Sequence, residues 1–220
     1  MTAKDLINET IIPLRSTDNG YLGMQMMDEY KVEHLPIVDE NIYLGLISEL
    51  DILNSNDPEM AIEHHTLSSG KVFVYEDQHV FDVIDIAAEK KLSVIPVVTR
   101  KMDYLGVITF KNLIKVFAEL TAAEINGSII VIEVNSNDYS LSQIAQIVEY
   151  NDAKVLNSHI ISHPNSTKMD VHLKINKQEI GPIIQTFNRY NYIVKDYYTQ
   201  EQELDDIHDR YDEFMSWLNV

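Results

Sequence analysis

Residues 12–54 and 74–115 are two copies of one pattern, and this repeat constrains the fold more than any other feature of the chain. Tyr21, Met24, Val32, Leu35 and Pro36 recur sixty residues later as Phe81, Ile84, Leu92, Ile95 and Pro96. One extra residue in the next turn shifts the offset to sixty-one, so that Tyr43–Ser48 returns as Tyr104–Thr109 and Asp51 as Asn112. Shared order, shared spacing and a single insertion confined to a turn do not arise by chance.

Each copy parses alike. A short apolar strand, Ile11-Ile12 or Val72–Val74, precedes a polar start at Thr17-Asp18 or Glu76-Asp77. A helix follows, its apolar residues at helical spacing: Leu22, Met26, Met27 and Tyr30, or Val80, Val83, Ile84, Ala87 and Ala88. Two strands come next, Leu35–Val38 and Leu44–Ile47, then Val94–Val98 and Leu105–Ile108 in the second copy. A last helix opens at Ser48 or Thr109.

This β-α-β-β-α unit, given twice, resembles a CBS-domain pair (the Bateman module). The carrying motifs are His34-Leu35-Pro36-Ile37-Val38 with Gly45–Asp51, and Val94-Ile95-Pro96-Val97-Val98 with Gly106–Asn112. The repeats are read as 1–60 and 61–124, with a boundary at Ile125-Asn126-Gly127. Beyond it, strand 128–134, helix 140–150, paired strands 154–162 and 169–175, helix 178–190 and strand 192–197 give the β-α-β-β-α-β order of a ferredoxin-like fold over 128–198. After a CBS pair this resembles an ACT domain, so the chain is similar to the CBS–ACT proteins labelled acetoin-utilisation proteins. The expected class is therefore α+β: tandem CBS domains, a ferredoxin-like ACT-type domain and a C-terminal helix. That helix, 199–220, sets Leu204, Ile207, Tyr211, Phe214 and Leu218 on one face and acids on the rest.

Charge narrows the partners. Against 35 Asp+Glu stand 17 Lys+Arg, a formal net charge of −18. Nucleic acid and anionic membrane surfaces both require clustered cations, so neither is expected. There is no cysteine, which excludes disulfides, thiol nucleophiles and Cys-based zinc sites. No apolar run follows the start Met1-Thr-Ala-Lys, none approaches the length of a membrane helix, and a cytoplasmic protein is expected.

The chemistry concentrates at Ser48-x-x-Asp51 and its counterpart Thr109-x-x-Asn112. A helix start offers free N–H groups and a positive dipole to a phosphate, and a carboxylate in the first turn can accept two ribose hydroxyls. Ser48 with Asp51 also makes a capping box, with no ligand needed. The resemblance implies adenosyl ligands in the cleft between repeats. It places Ile12, Pro13, Leu35 and Pro36 beside Ser48 and Asp51, and Val74, Tyr75, Ile95 and Pro96 beside Thr109, Lys111 and Asn112. Asn112 is uncharged and should hold ribose less well than Asp51, whereas Lys111 favours phosphate and Glu49 repels it. In the ACT-like region Tyr139 stands near the glycine that amino-acid-binding members carry, which favours dimerisation over amino-acid capture.

No nucleotide-fold glycine motif, nucleophile elbow or HExxH occurs. The expectation is a non-catalytic, homodimeric ligand sensor for an adenine nucleotide or adenosyl compound (AMP, ADP, ATP or S-adenosylmethionine), with no other cofactor and no metal. Net charge should make ATP a poorer ligand than AMP at low ionic strength. The alternatives are a constitutive dimeric scaffold or protein-interaction module with structural clefts and, last, a metal-dependent hydrolase using His159, His163 and His172.

Overall fold

The structure, a computed structural model, describes residues 1–8, 10–55 and 57–199. The C-terminal helix read over 199–220 thus lies outside the described residues, except for Thr199. The chain forms two compact units, Met1–Val116 and Phe117 onward.

In the first unit the repeats build the same elements. The first has α1 (Gly20–Tyr30), β1 (His34–Asp39), β2 (Ile42–Ser48) and α2 (Glu49–Asn54); the second has β3 (Val74–Tyr75), α3 (Val80–Lys90), β4 (Val94–Val98) and β5 (Tyr104–Thr109), then α4 (Phe110–Leu120), which begins in this unit. Each hairpin is antiparallel, and both carry a bulge at the same place, after Ile37 and after Val97. The leading strand of each copy starts later than its apolar letters suggest, by three residues in the first and two in the second. Leu14, not Ile11-Ile12, bridges to Ile37, and Val74-Tyr75 pairs with Val97-Val98, both parallel. Leu14 and Val74 enter the core, as does Ile11, while Ile12, outside the bridge, is 61% exposed. Leu35, Ile47, Ile52, Ile95 and Ile108 complete one core shared by both repeats.

The segments that lead into the two repeats are exchanged. Ala3–Leu6 forms a 3-10 turn that packs on the second repeat, with Ala3 N–H bonded to Gln78 O at 2.9 Å and Asn8 N–H to Val107 O at 2.7 Å. The matching turn, Ile62–His64, packs on the first repeat: Ile62 N–H donates to Asp18 O at 2.8 Å, and Leu46 N–H to Gly70 O at 3.1 Å. His34 and Ser93 join the repeats at their centre. Ser93 N–H donates to His34 Nδ1 at 3.4 Å, Ser93 Oγ lies 3.0 Å from that nitrogen, and Glu33 N–H donates to Ser93 Oγ at 2.9 Å.

The second unit has β6 (Ser128–Asn135), α5 (Leu141–Glu149), β7 (Val155–Ser162), β8 (Lys168–Ile175), α6 (Gly181–Arg189) and β9 (Ile193–Tyr198). Its sheet runs β7-β8-β6-β9, antiparallel throughout, which is the ferredoxin-like order. Ile130, Ile132, Val171 and Leu173 alternate onto the face that α5 and α6 cover with Ile144, Ile147, Ile183 and Phe187. Among the described residues no helix is long and apolar enough to cross a membrane.

Phe187 is fully buried in this core. Phe187→Ala should destabilise the second unit by about 3–5 kcal/mol, read by denaturant unfolding. His34 supplies a pH test. Burial lowers its pKa, and the carboxylates of Glu33 and Asp51 offset this only in part. The folded state therefore takes up this proton less readily than the unfolded chain. The resulting stability is complete above the unfolded value of about 6.5 and is lost as pH falls toward the folded value. His172 in the second unit is shifted the same way, by burial and by its neighbour His159. The measurement is therefore the difference between the parent and His34→Gln: the variant's melting midpoint should fall less between neutral and mildly acidic pH.

Candidate functional site

The two helix starts have diverged. At α2 the capping box is complete: Asp51 N–H donates to Ser48 Oγ at 3.1 Å and Ser48 N–H to Asp51 Oδ2 at 2.9 Å. The other carboxylate oxygen accepts Ser68 N–H at 3.1 Å, from the exchanged segment. Asp51 is only 7% exposed. Burial by itself would raise its pKa, but the donors from Ser48 and Ser68 together hold the carboxyl below the usual carboxylate range. Both oxygens thus hold backbone groups in place. Gly45 is part of the same closure, since a Cβ there would come within 2.7 Å of Leu67 Cδ1. Its slimness admits the protein's own leucine. The same holds for Gly106, where φ is +146° and a Cβ would meet Ile7 Cγ2 at 2.5 Å.

At α4 Thr109 Oγ1 accepts Asn112 N–H at 3.1 Å, but no protein hydrogen bond to the Asn112 side chain occurs among the described residues. Here the unit opens into a cleft of about 1000 Å³, the upper end for small-molecule sites. Its walls come from Asn8, Thr10 and Ile11, from Tyr30–Glu33 at the end of α1, from Ala87, Ala88, Lys91, Leu92 and Ser93 at the end of α3, and from Thr109–Asn112. The corresponding space at α2, lined by Met27, Asp28 and Glu49 among others, is about 370 Å³. Ala87 and Ala88 stand where the first repeat has Met27 and Asp28. Two small side chains open one cleft, while a long one and an acid narrow and acidify the other.

The structure separates several residues grouped from the sequence. Thr109, Lys111 and Asn112 line the open cleft, but Val74, Tyr75, Ile95 and Pro96 do not; Val74 and Ile95 are core residues without exposure and Pro96 is buried. Ile12, Pro13, Leu35 and Pro36, read beside Ser48 and Asp51, do not line the smaller space at α2 either, and Leu35 is fully buried. The strand partners of each repeat are internal, whereas the cleft is walled by the leading segment of the other. Asn8, Thr10 and Ile11 were missed for that reason. Lys31 and Lys91 were missed as well, although both follow helix ends at matching positions.

In the second unit Ser140 caps α5, its Oγ accepting Gln143 N–H at 3.4 Å. The His159 and His172 rings stack with centroids 4.6 Å apart, and His163 Nε2 lies 3.2 Å from Asp170 Oδ2. His64 and His65 diverge, the first exposed and the second buried. Among the described residues no three His, Cys, Asp or Glu side chains are placed to hold a metal ion.

Residues 3–56 and 67–119 match the CBS domain family. The chain carries two CBS domains in tandem. Among solved structures, a CBS domain pair/ACT domain protein from Thermotoga maritima is 17% identical, with 54% of this chain and 98% of that one aligned at a TM-score of 0.49. A protein of Vibrio cholerae named for acetoin utilization (AcuB) is 20% identical over 55% and 92% of the two chains, at 0.47. CBSX2, solved in complex with AMP, is 19% identical over 54% and 96%, at 0.46.

The closed α2 end gives a ligand-free test. Asp51→Ala removes the acceptor for two backbone N–H groups, one at the helix cap and one in the exchanged segment. It should lower stability by about 1–3 kcal/mol in denaturant titrations without any ligand.

Proposed function

We propose that this protein is a non-catalytic regulatory sensor whose CBS pair binds an adenine nucleotide or adenosyl compound in the cleft at the start of α4. One observation carries the reading: of two pseudo-equivalent helix starts, that of α4 opens into the larger cleft, about 1000 Å³ against 370 Å³, and among the described residues its Asn112 side chain is unengaged while Asp51 at α2 is fully hydrogen-bonded. A phosphate would meet the positive end of the α4 dipole and the Lys111 ammonium. Asn112 Oδ1 would accept a ribose hydroxyl, Thr109 would lie beside it, and Ile11 with Ala87 and Leu92 supplies an apolar floor for a base. The closed end at Asp51 is structural in this reading, which reverses the ranking of the two ends drawn from charge alone.

Ligand entry would join segments of both repeats, so occupancy is transmitted as a change in how firmly the repeats hold together. Exposed apolar side chains on the helices, among them Tyr21, Leu50, Phe81, Phe110 and Ile114, support a homodimer whose arrangement is the regulated quantity. A cytoplasmic location and a dimer-supporting role for the ferredoxin-like unit belong to the same proposal.

A dye-based melt across adenosine, AMP, ADP, ATP and S-adenosylmethionine tests this. At one hundred times its dissociation constant a ligand adds about 2.7 kcal/mol of apparent stability, several degrees in midpoint for units of this size. Asn112→Ala should weaken binding by about 0.5–1.5 kcal/mol. Asp51→Ala should lower the unliganded midpoint while retaining the ligand-induced rise. No shift with any compound at millimolar concentration would leave the scaffold reading in its place, and sedimentation at the monomer mass would remove the dimer.

A further inference from the structure

The cationic lining of the open cleft is out of keeping with the rest of the chain. Acids outnumber bases two to one overall, 35 against 17, yet among the described residues the charged ones lining this cleft are Lys31, Lys91 and Lys111 against Glu33. Lys91 and Lys111 make no ion pair among the described residues. Lys31 has one, to Asp28 Oδ1 at 2.7 Å, but both side chains are largely exposed, 77% and 83%. Such surface pairs are weak, so Lys31 can exchange partners at little cost.

The three lysines arrive from three directions. Lys31 and Lys91 occupy equivalent positions of the two repeats, each immediately after its helix in the left-handed conformation, at φ 55° and 53°. Lys111 sits in the first turn of α4. A single phosphate at the start of α4 is served by Lys111 and the helix dipole, and leaves Lys91 without a counter-charge and Lys31 with only its exposed partner Asp28. The C-terminal ends of α1 and α3 would themselves repel an anion, and a lysine just past each end offsets that.

We infer that the cleft is built for a polyphosphate chain, selecting nucleoside tri- and diphosphates over the monophosphate, and that Lys31 and Lys91 determine this selectivity by meeting the outer phosphates. The inference rests on the nucleotide reading of this cleft and names its ligand class. It also reverses the expectation from net charge. At an ionic strength of about 0.15 M the screening length is about 8 Å, so an entering phosphate responds to the three lysines at the wall more than to acids spread over the chain. Asp28, whose counterpart in the second repeat is Ala88, acts here as a competitor that holds Lys31 back.

Calorimetry at about 0.15 M salt without magnesium, with AMP, ADP, ATP and inorganic tripolyphosphate as probes, decides the matter. ATP should bind about ten-fold more tightly than AMP, the effect of one added charge-assisted contact. Lys31→Ala and Lys91→Ala should each reduce the ATP-to-AMP ratio, and Asp28→Asn should increase it. Magnesium should narrow the preference by neutralising part of the triphosphate. AMP binding as tightly as ATP, or Lys31→Ala weakening both equally, would overturn the inference and leave the nucleotide reading intact. Tripolyphosphate binding that depends on Lys31, with no adenosine compound bound, would overturn the nucleotide reading and retain the polyphosphate site. Binding of neither probe class would overturn both.

Discussion

The first unit depends on a reciprocal exchange. Each repeat sends its leading 3-10 turn onto the other, where its backbone completes the other's hydrogen bonding and one side chain fills the space above a glycine. Neither repeat is complete alone: without Leu67 the strand at Gly45 is uncovered, and without Ile7 the strand at Gly106 is. The His34–Ser93 contact at the centre then brings the two hairpins into one core. The arrangement places the start of each second helix beside a chain segment of the other repeat, and that junction is where a ligand can enter or be kept out.

Small differences at the two junctions decide which does what. Asp51 closes one by accepting Ser68 N–H; Asn112, neutral and with one acceptor oxygen, leaves the other unclosed. Met27, Asp28 and Glu49 narrow and acidify the first, while Ala87, Ala88 and Lys111 widen the second and give it positive charge. Duplication made the geometry twofold, and divergence at a few positions made it one-sided. A charged side chain that looks like the better ligand group is consumed by structure, because a buried carboxylate must be fully hydrogen-bonded to remain ionised.

Much of this architecture is legible in the letters. The offset of sixty, the turn insertion and the apolar runs along His34–Val38 and Val94–Val98 point to paired hairpins, and the β-α-β-β-α-β order after Gly127 points to the second unit. These signals are local: strand alternation, helical spacing and caps are set by neighbours within one or two turns. The candidate site was only half legible, since Thr109, Lys111 and Asn112 lie in a contiguous motif but their companions do not.

What the sequence by itself determined is the repeated unit, its core positions and the helix starts at Ser48 and Thr109. What only the tertiary structure decided is which leading segment lies against which helix start, and hence that Asn8, Thr10 and Ile11 share a cleft with Asn112 while Ser68 seals Asp51. Aligning the copies pairs each segment with its own repeat, and an exchange between two copies of one pattern leaves no trace in the alignment. The choice follows from chain reach and from the packing of Ile7 and Leu67 over two glycines, and those contacts form only once both repeats have folded together.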